Sequence, residues 1–300
     1  MLIKKIGIIK RSNVENLDIL VNETKSFFLK KGVKVAFEQD VGSLSDNIPT
    51  LQEPLDLIVV LGGDGTFLSA TRVVLKSHYD IPIVGVNLGK IGFLTEISID
   101  TMFHNLEKIF NNDFTIEERM IINVNFEPSS NNQQNYSVFN DVVINKGALA
   151  KIIGIDTYIE YKSKKQFVST FYADGLIVAT PSGSTAYSLA AGGPIVYPEL
   201  DSFILTPIAP HTLSNRPIVL PDDVIIYLQL HENIDRVFLT LDGQVGFRLN
   251  KGDKITLSKS NRKIKLITDK NKNYFDILRV KLGWEERKIT ALNYDKKNKD

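Results

Sequence analysis

The sequence predicts an α/β N-terminal domain, built on a Rossmann-like open parallel sheet, followed by a C-terminal domain that is mostly β. Up to about residue 118, apolar runs of strand length alternate with helical patterns, which is typical of right-handed βαβ units. Beyond residue 118, short β-like runs follow one another and helical periodicity is nearly absent. We therefore predict an α/β domain over 1–118, a β-rich domain over 119–273, and a C-terminal segment over 274–300 that ends in a Lys-rich tail.

Composition excludes several classes of function. The 36 Lys and Arg residues nearly balance the 35 Asp and Glu residues, so no global charge attracts the chain to nucleic acid or to a membrane surface. Cysteine is absent, which removes disulfides, thiolate metal sites and cysteine nucleophiles. No apolar run approaches the ~20 residues that cross a bilayer, and the first residues predict a strand rather than a signal peptide. We expect a soluble, cytoplasmic protein without nucleic-acid or membrane partners.

The first domain is predicted to alternate regularly between strands and helices. The patterns predict strands over 3–9, 33–39, 57–61 and 82–87 and helices over 14–31, 67–78 and 102–111. Ligands of open parallel sheets bind beyond the carboxyl ends of the strands. Loops 62–66 and 88–94 both follow strands at that edge, so we expect them to line one crevice.

The second domain is predicted to consist of short strands without an internal repeat. The β-like runs are 120–126, 137–145, 153–162, 166–171, 176–180, 203–208, 224–230, 237–241, 254–257 and 263–267. The segment that follows, 274–284, fits either a strand or a helix.

The most informative loop is Gly62-Gly63-Asp64-Gly65-Thr66, which lies between a predicted strand and a predicted helix. Glycines lack the Cβ atoms that would keep ligand phosphates away from the backbone, and N–H groups at a helix start bind anions. Asp64 is the one ionisable residue of this loop, which makes it a candidate general base or a residue linked to Mg²⁺. The alternative is a tight turn in which Asp64 is only an N-cap.

Hydroxyl groups are concentrated in a second stretch, residues 180–188, which reads Thr-Pro-Ser-Gly-Ser-Thr-Ala-Tyr-Ser. Hydroxyls and backbone amides suit the ribose and amide groups of a nucleotide-like ligand. The alternative is a turn closed by bonds from Ser and Thr side chains to the backbone. Taken alone, Asn140-Asp141 fits a strand-end cap and Asp242-Gly243 a hairpin turn.

The sequence predicts no metal site built by protein side chains. Its four histidines are scattered without ligand spacing. It also lacks the G-x-x-x-x-G-K-[ST] loop of P-loop NTPases and the G-x-S-x-G elbow of α/β-hydrolases.

Three motifs, in their order and at their separations, resemble the NAD kinase family. They are 62–66, Asn140-Asp141, and Asp174-Gly175 continuing to 180–188, and the likeness extends over most of the chain, to residues 281–284. Lipid kinases and phosphofructokinases carry similar Gly-Gly-Asp-Gly loops, so the block 180–188 is the specific part. The resemblance implies transfer of the γ-phosphate of ATP to the 2′-hydroxyl of the adenosine ribose of NAD, giving NADP. It further implies Mg²⁺ that accompanies ATP, and no tightly bound organic cofactor.

The resemblance also implies an architecture. It comprises an N-terminal α/β domain, a C-terminal β domain and a C-terminal segment that returns to the first domain. Homodimers or homotetramers are implied, in which neighbouring subunits complete the site.

Carried over position by position, the resemblance implies roles for individual residues. Asp64 resembles the proton acceptor, Asp174 would receive the nicotinamide end, and Asp141 stands where Glu is commoner in the family. The implied phosphate loop consists of Gly62, Gly63, Gly65 and Thr66. The further positions that match substrate contacts are Gly65, Phe93, Asn140, Lys151, Tyr172, Thr185, Ala186, Tyr187, Ser188, Leu189, Ala190 and Gln244.

Two alternative functions are a lipid kinase with the same loop and a dinucleotide sensor on the same fold. A lipid kinase acting on diacylglycerol or a sphingoid base would need a broad apolar pocket or a membrane-docking face, whereas 180–188 is rich in hydroxyls. A non-catalytic dinucleotide sensor would be expected to lack the loop carboxylate, whereas Asp64 is present.

Overall fold

Strands and helices alternate in the first part of the chain. The computed structural model describes residues 2–41, 49–129, 132–147, 150–212, 214–232, 234–271 and 273–284. The first elements are β1 (Lys5–Arg11), α1 (Leu17–Lys30), β2 (Lys34–Val41), β3 (Leu57–Leu61), α2 (Asp64–Lys76), β4 (Ile83–Asn87), β5 (Ile97–Ser98), α3 (Met102–Phe110) and β6 (Thr115–Arg119).

Strands dominate the remainder, as predicted. The elements are β7 (Ile122–Glu127), β8 (Gln134–Val138), β9 (Asp141–Lys146), β10 (Ile153–Tyr161), β11 (Lys164–Ala173), β12 (Gly175–Ala179), α4 (Tyr187–Ala190), β13 (Ser202–Ile208), β14 (Ile218–Pro221), β15 (Ile225–Leu230), β16 (Val237–Leu241), β17 (Val245–Leu249), β18 (Lys254–Lys259), β19 (Ile264–Thr268) and α5 (Tyr274–Leu282).

The first sheet has seven strands in the order β2-β1-β3-β4-β19-β6, with β5 paired to β4. The pairs among β1 to β5 are parallel, and β6 joins antiparallel to β19. Strand β3 is buried on both faces. Leu57, Val59 and Leu61 pack in a cluster with residues of α1 and α3, while Ile58 and Val60 pack in a second cluster with residues of α2. This central position fixes where β3 ends and α2 begins.

Two six-stranded antiparallel sheets form the β-rich part. Their orders are β11-β10-β15-β18-β7-β8 and β14-β13-β12-β9-β16-β17. Side chains of both sheets meet in one buried apolar cluster, as in a β-sandwich. The predicted fold class is thereby confirmed.

The chain returns to the first sheet earlier than predicted. The sequence placed 263–267 in the β-rich domain and ended that domain at residue 273. Strand β19 instead lies between β4 and β6 in the first sheet. Ile264 and Leu266 pack against one face of that sheet and Ile267 against the other. Periodicity predicts a strand here but cannot identify its partners, which are distant in sequence.

The predicted run 137–145 is interrupted. It divides into β8 and β9, which lie in different sheets. The break falls at Phe139 and Asn140, whose backbone N–H groups donate to the side chain of Asp242 at 2.9 and 2.6 Å. A carboxylate from a distant turn therefore takes the place of strand partners at this point.

The C-terminal segment begins with a helix. Asn273 and Asp276 form a capping box at the start of α5, and Gly283, with φ 66°, follows its last residue. Residues 285–300, the rest of the predicted segment, lie outside the described residues. None of the helices in the described ranges has the length and apolar character needed to cross a membrane.

Candidate active site

Asp64 lies where β3 ends and α2 begins. Its half-buried carboxylate contacts the segment that follows β4. Oδ2 accepts a hydrogen bond from the N–H of Phe93 at 2.9 Å, and Oδ1 accepts from the N–H groups of Leu94 and Thr95, both at 3.1 Å. The hydroxyl of Thr95 also donates to Oδ1, at 3.0 Å. These four bonds join the two loops, so their predicted convergence is confirmed.

The two oxygens of Asp64 meet different numbers of donors. In the part of the chain that the structure describes, Oδ1 meets three donors and Oδ2 meets one. Each carboxylate oxygen can accept about two hydrogen bonds, so Oδ2 keeps a lone pair for a further proton. The four donors hold the carboxylate in a fixed orientation.

The residues of the Asp64 loop fall into two groups. A Cβ atom on Gly62 would lie 2.3 Å from Oγ1 of the buried Thr66, so these two residues pack against each other. A Cβ atom on Gly63 or Gly65 would meet nothing within 4 Å. Gly63 and Gly65 thus border open space, where a ligand can approach the start of α2.

A crevice of about 360 Å³ opens beside Asp64. Three cationic side chains line it: Arg11 at the end of β1, Lys90 in the loop after β4, and Lys281 on α5. The Lys281 ammonium also lies 5.7 Å from the centroid of the Phe93 ring. Sequence reasoning missed these cations as site residues, although the position of Arg11 at the carboxyl end of a parallel strand could have identified it.

The Asn140–Asp141 pair is buried where β9 begins, with Asn140 just before the strand and Asp141 as its first residue. The loop after β12 packs on it, because Thr180 N–H donates to the carbonyl of Asn140 at 2.8 Å. A Cβ atom on Gly183 would lie 2.0 Å from that same carbonyl oxygen. The Asp141 carboxylate accepts a hydrogen bond from the backbone N–H of Tyr187. The structure thus brings the second and third sequence motifs together.

A second buried carboxylate, that of Asp242, lies against Asp141. Its Oδ1 accepts from the backbone N–H of Asp141 at 3.2 Å. Burial and the charge of Asp242 raise the pKa of Asp141 to about 7. Burial raises the pKa of Asp242 to about 6. Three backbone N–H donors and the charge of Arg72 act in the opposite direction and lower this pKa. The sequence identified Asp242 only as part of a turn, and its side chain was missed.

Gln244 connects the two domains. Its Nε2 donates to the carbonyl of Gly65 at 3.1 Å, and its Oε1 accepts from Nη1 of Arg72 at 3.0 Å. Both partners belong to α2. Gln244, a predicted contact residue, therefore lies beside the Asp64 loop.

Hydroxyls of the stretch 180–188 are bonded within the protein. Thr180 donates to the carbonyl of Phe139 at 2.6 Å, and Thr185 donates to that of Ser182 at 3.1 Å. Ser188 is buried, with Oγ 2.9 Å from a hydroxyl of β13. These side chains build the loop, as the alternative interpretation predicts.

The remaining residues of that stretch are more accessible. Thr185, Ala186 and Leu189 are half-buried, and Tyr187 and Ala190 are exposed. Phe93 is half-buried at the edge of the Asp64 crevice.

Asp174 lies at the opposite end of β12 from Asp141. It precedes β12, whereas Asp141 pairs with Ala179, the last residue of that strand, and a strand of five to six residues spans roughly 17–20 Å. Asp174 pairs with Lys146, with Nζ and Oδ1 3.4 Å apart, and the predicted contact residues Tyr172 and Lys151 are exposed near the same end of the strand. That Asp174 and 185–187 line one pocket stays a prediction.

The residues present fit Mg²⁺ that arrives with ATP. Within the described ranges, no group of three or more His, Cys, Asp or Glu side chains converges on a metal position. Among the residues that line the crevice, Asp64 provides a carboxylate that can bind the ion. Mg²⁺ commonly binds through one or two carboxylates, substrate phosphates and several waters, so a cage of protein ligands is not required.

Both halves of the chain match models of known families. Residues 6–114 match the ATP-NAD kinase N-terminal domain, and residues 139–268 match the ATP-NAD kinase C-terminal domain. The fold and these matches define an ATP-dependent phosphotransferase.

Individual relatives agree with this class. The chain is 42% identical over 292 residues to the NAD kinase of Geotalea daltonii, covering 95% of this chain and 100% of that protein. It is 49% identical over 233 residues to the NAD kinase of Geobacter sp. (strain M21), covering 77% of this chain and 79% of that protein. The chain belongs to the NAD kinase family, as predicted, and the lipid-kinase alternative gains no support from these relatives.

Solved structures show the same fold. An NAD kinase from Archaeoglobus fulgidus in complex with ATP gives a TM-score of 0.70 at 25% identity, covering 94% of this chain and 100% of that chain. Yeast NADH kinase complexed with NADH gives a TM-score of 0.79 at 23% identity, covering 95% of this chain and 89% of that chain. The second likeness concerns the fold alone.

Proposed function

We propose that this protein transfers the γ-phosphate of ATP to the 2′-hydroxyl of the adenosine ribose of NAD, giving NADP and ADP, with Asp64 as the proton acceptor. The observation that carries the proposal is the Asp64 carboxylate. It is oriented by four donors, keeps a lone pair on Oδ2, and lies in a crevice lined by three cations.

Asp64 acts as a general base in this reaction. As the ribose oxygen attacks the γ-phosphorus, the bond to the bridging oxygen of ADP breaks and the hydroxyl proton passes to Oδ2. A positioned base of this kind contributes about 10²–10⁴-fold to the rate. Because the donors from Phe93, Leu94 and Thr95 hold the carboxylate, little reorientation is needed during the step.

Arg11, Lys90 and Lys281 bind the triphosphate of ATP. They surround the open space beside Gly63, next to the start of α2, where backbone N–H groups and the helix dipole favour anions. Mg²⁺ bound to ATP neutralises further phosphate charge and polarises the transferred group. With a formal net charge of +1, the chain depends on these local charges to bind anionic substrates.

Asn140 and Asp141 bind hydroxyl groups of NAD. The side-chain oxygen of Asn140 is buried and has no hydrogen-bond partner among the described residues, an arrangement that is costly unless a ligand or water donates to it. The anionic form of Asp141 accepts hydrogen bonds from ribose hydroxyls, and exposed Tyr187 borders the same place.

We further propose that a neighbouring subunit supplies Asp174, in a homodimer or homotetramer. The distance of about 20 Å along β12 prevents one chain from offering Asp174 and Asp141 to the same end of a dinucleotide. A second copy can offer its Asp174 to the first copy's site. The cytoplasmic location stays a prediction from the sequence.

The function is tested by incubating the purified protein with NAD, ATP and MgCl₂ and measuring NADP with an NADP-specific dehydrogenase. We expect NADP only when all three are present, with loss of the signal in excess EDTA. Parallel reactions replace NAD by micelles of diacylglycerol or sphingosine. Phosphorylated lipid without NADP would support a lipid kinase, and NAD binding without NADP would support a sensor; either result contradicts the proposal.

A further inference from the structure

One turn of the β-rich domain contacts both halves of the proposed site. Asp242 and Gly243 form the turn between β16 and β17, with φ of 50° and 63°. The Asp242 carboxylate is buried and accepts the backbone N–H groups of Phe139, Asn140 and Asp141 at 2.9, 2.6 and 3.2 Å. Building on the proposed function, we propose that Asp242 is a positioning residue that fixes the Asn140–Asp141 pair for NAD.

The backbone geometry explains how Asp242 positions the pair. Three successive N–H groups on one carboxylate hold the chain between β8 and β9 in a single conformation. These bonds set the directions of the Asn140 and Asp141 side chains at the start of β9, where pairing with β12 and β16 begins. A loss of these bonds would let the pair move by fractions of an ångström, which is enough to weaken a polar contact.

The same turn links the pair to the Asp64 loop. Gln244, two residues after Asp242, donates to the carbonyl of Gly65 and accepts from Arg72 of α2. The turn therefore fixes the NAD-binding pair relative to the residue next to the general base. The side chains of Asp242 and Gln244 thereby align the two domains at the site.

Asp242 also acts on Asp141 through its charge. The charged groups in this set are Asp141 on β9, Asp242 on the turn, and Arg72 on α2, which faces Asp242. The negative charge of Asp242 disfavours the anion of Asp141. NAD affinity should therefore rise with pH as Asp141 loses its proton, and removing the charge of Asp242 should move that rise to lower pH.

Asp242→Asn is the informative variant. Asn tolerates a positive φ, and its oxygen can keep two of the three N–H partners while its amide faces the third. We expect the KM for NAD to rise about tenfold at pH 8, because the variant loses roughly one hydrogen bond to a charged group. The KM for ATP should stay within about twofold of the wild-type value. The pH midpoint of NAD binding, measured by titration calorimetry, should fall by about one unit.

Asp253→Asn is the matched control. Asp253 is also buried, and it accepts N–H groups of Ser129 and Asn250 at 2.7 and 2.8 Å, in a turn after β17. Both variants are compared below their unfolding temperatures, and wild type must form NADP. One outcome is that Asp242→Asn lowers stability and still shows the same KM for NAD and the same pH midpoint of NAD binding as Asp253→Asn. In that case Asp242 is only a turn cap, and the positioning role is overturned. If wild type itself forms no NADP, the proposed function fails instead.

Discussion

The backbone at Gly92 packs directly against the carboxylate of Asp64. A Cβ atom on Gly92 would lie 1.9 Å from Oδ1 and 2.6 Å from Cγ of Asp64. The next three residues are those that donate to the same carboxylate. The orientation of Asp64, the proposed general base, thus depends on the absence of a side chain in the neighbouring loop.

Gly92→Ala should inactivate the protein by displacing Asp64. The added methyl group cannot be accommodated without moving the carboxylate or the loop. Misplacement of a catalytic group by about 1 Å costs roughly 10²-fold, so we expect kcat to fall by at least about that factor while the protein stays folded. Gly246→Ala is the control, since a Cβ there would meet only a backbone oxygen at 4.0 Å. Equal kcat in the two variants would contradict the role of Gly92.

Lys281→Met should weaken ATP binding selectively. Lys281 contributes one of the three cations that line the crevice, and loss of one partly exposed charge from the proposed triphosphate site should raise the KM for ATP about five- to tenfold. The KM for NAD should change less than about twofold. The control is Lys270→Met, which removes an exposed lysine paired with Asp113. An equal rise of both KM values would place Lys281 outside the ATP subsite.

Two inactive variants should restore activity when mixed. Asp64→Asn removes the base and Asp174→Ala removes the group proposed to come from the neighbouring subunit. In a dimer with reciprocal sites, random pairing gives half heterodimers with one intact site each, hence about a quarter of wild-type activity. The variants are mixed under conditions of subunit exchange and assayed for NADP. The control is a mixture of two differently tagged copies of Asp64→Asn. If the mixture of Asp64→Asn with Asp174→Ala is as inactive as this control, Asp174 is not shared between subunits.

Arg262 should stabilise the helix that carries Asp64. Its guanidinium donates to four carbonyls at the end of α2 and just beyond, at 2.9 to 3.1 Å, and these belong to Val74, Leu75, Ser77 and Tyr79. The last carbonyls of a helix have no intrahelical partner, and of these four that of Val74 also accepts from the hydroxyl of Ser77 at 2.8 Å. Arg262→Met should lower the free energy of unfolding in urea by about 2–4 kcal/mol.

The control for Arg262 is an exposed ion pair. Arg248 lies 3.4 Å from Asp235, and both side chains are largely exposed, so Arg248→Met should change the free energy of unfolding by less than about 0.5 kcal/mol. Similar losses in both variants would show that the bonds from Arg262 to the carbonyls add nothing beyond surface charge.

Local signals in the sequence predicted the fold class and the central loop. The apolar run of β3, the glycines that follow it and the helical spacing of Phe67, Ala70 and Val73 all lie within about 20 residues. The convergence of loops 62–66 and 88–94 was predicted because parallel strands present their carboxyl ends at one edge of the sheet.

Long-range relationships could not be predicted from the sequence. An Asp-Gly pair predicts a turn wherever it occurs, so nothing local indicates that the side chain of Asp242 reaches Asn140, about a hundred residues away. The pairing of β19 with β4 and the capping role of Arg262 depend on tertiary contacts in the same way. The separation of Asp174 from Asp141 likewise depends on strand pairing, since Asp141 pairs with Ala179 at the far end of β12.

The role of Asp64 is tested by comparing Asp64→Asn with wild type in NADP formation and in NAD binding. The amide keeps an oxygen for the donors on Oδ1 but cannot accept the ribose proton, so we predict that kcat falls by about 10²–10⁴-fold while the dissociation constant for NAD stays within about threefold. Asp56→Asn serves as the control, because Asp56 is also held by backbone N–H groups, those of Lys4 and Lys5 at 2.7 and 2.8 Å. Wild-type turnover in Asp64→Asn would contradict the assignment of Asp64 as the general base.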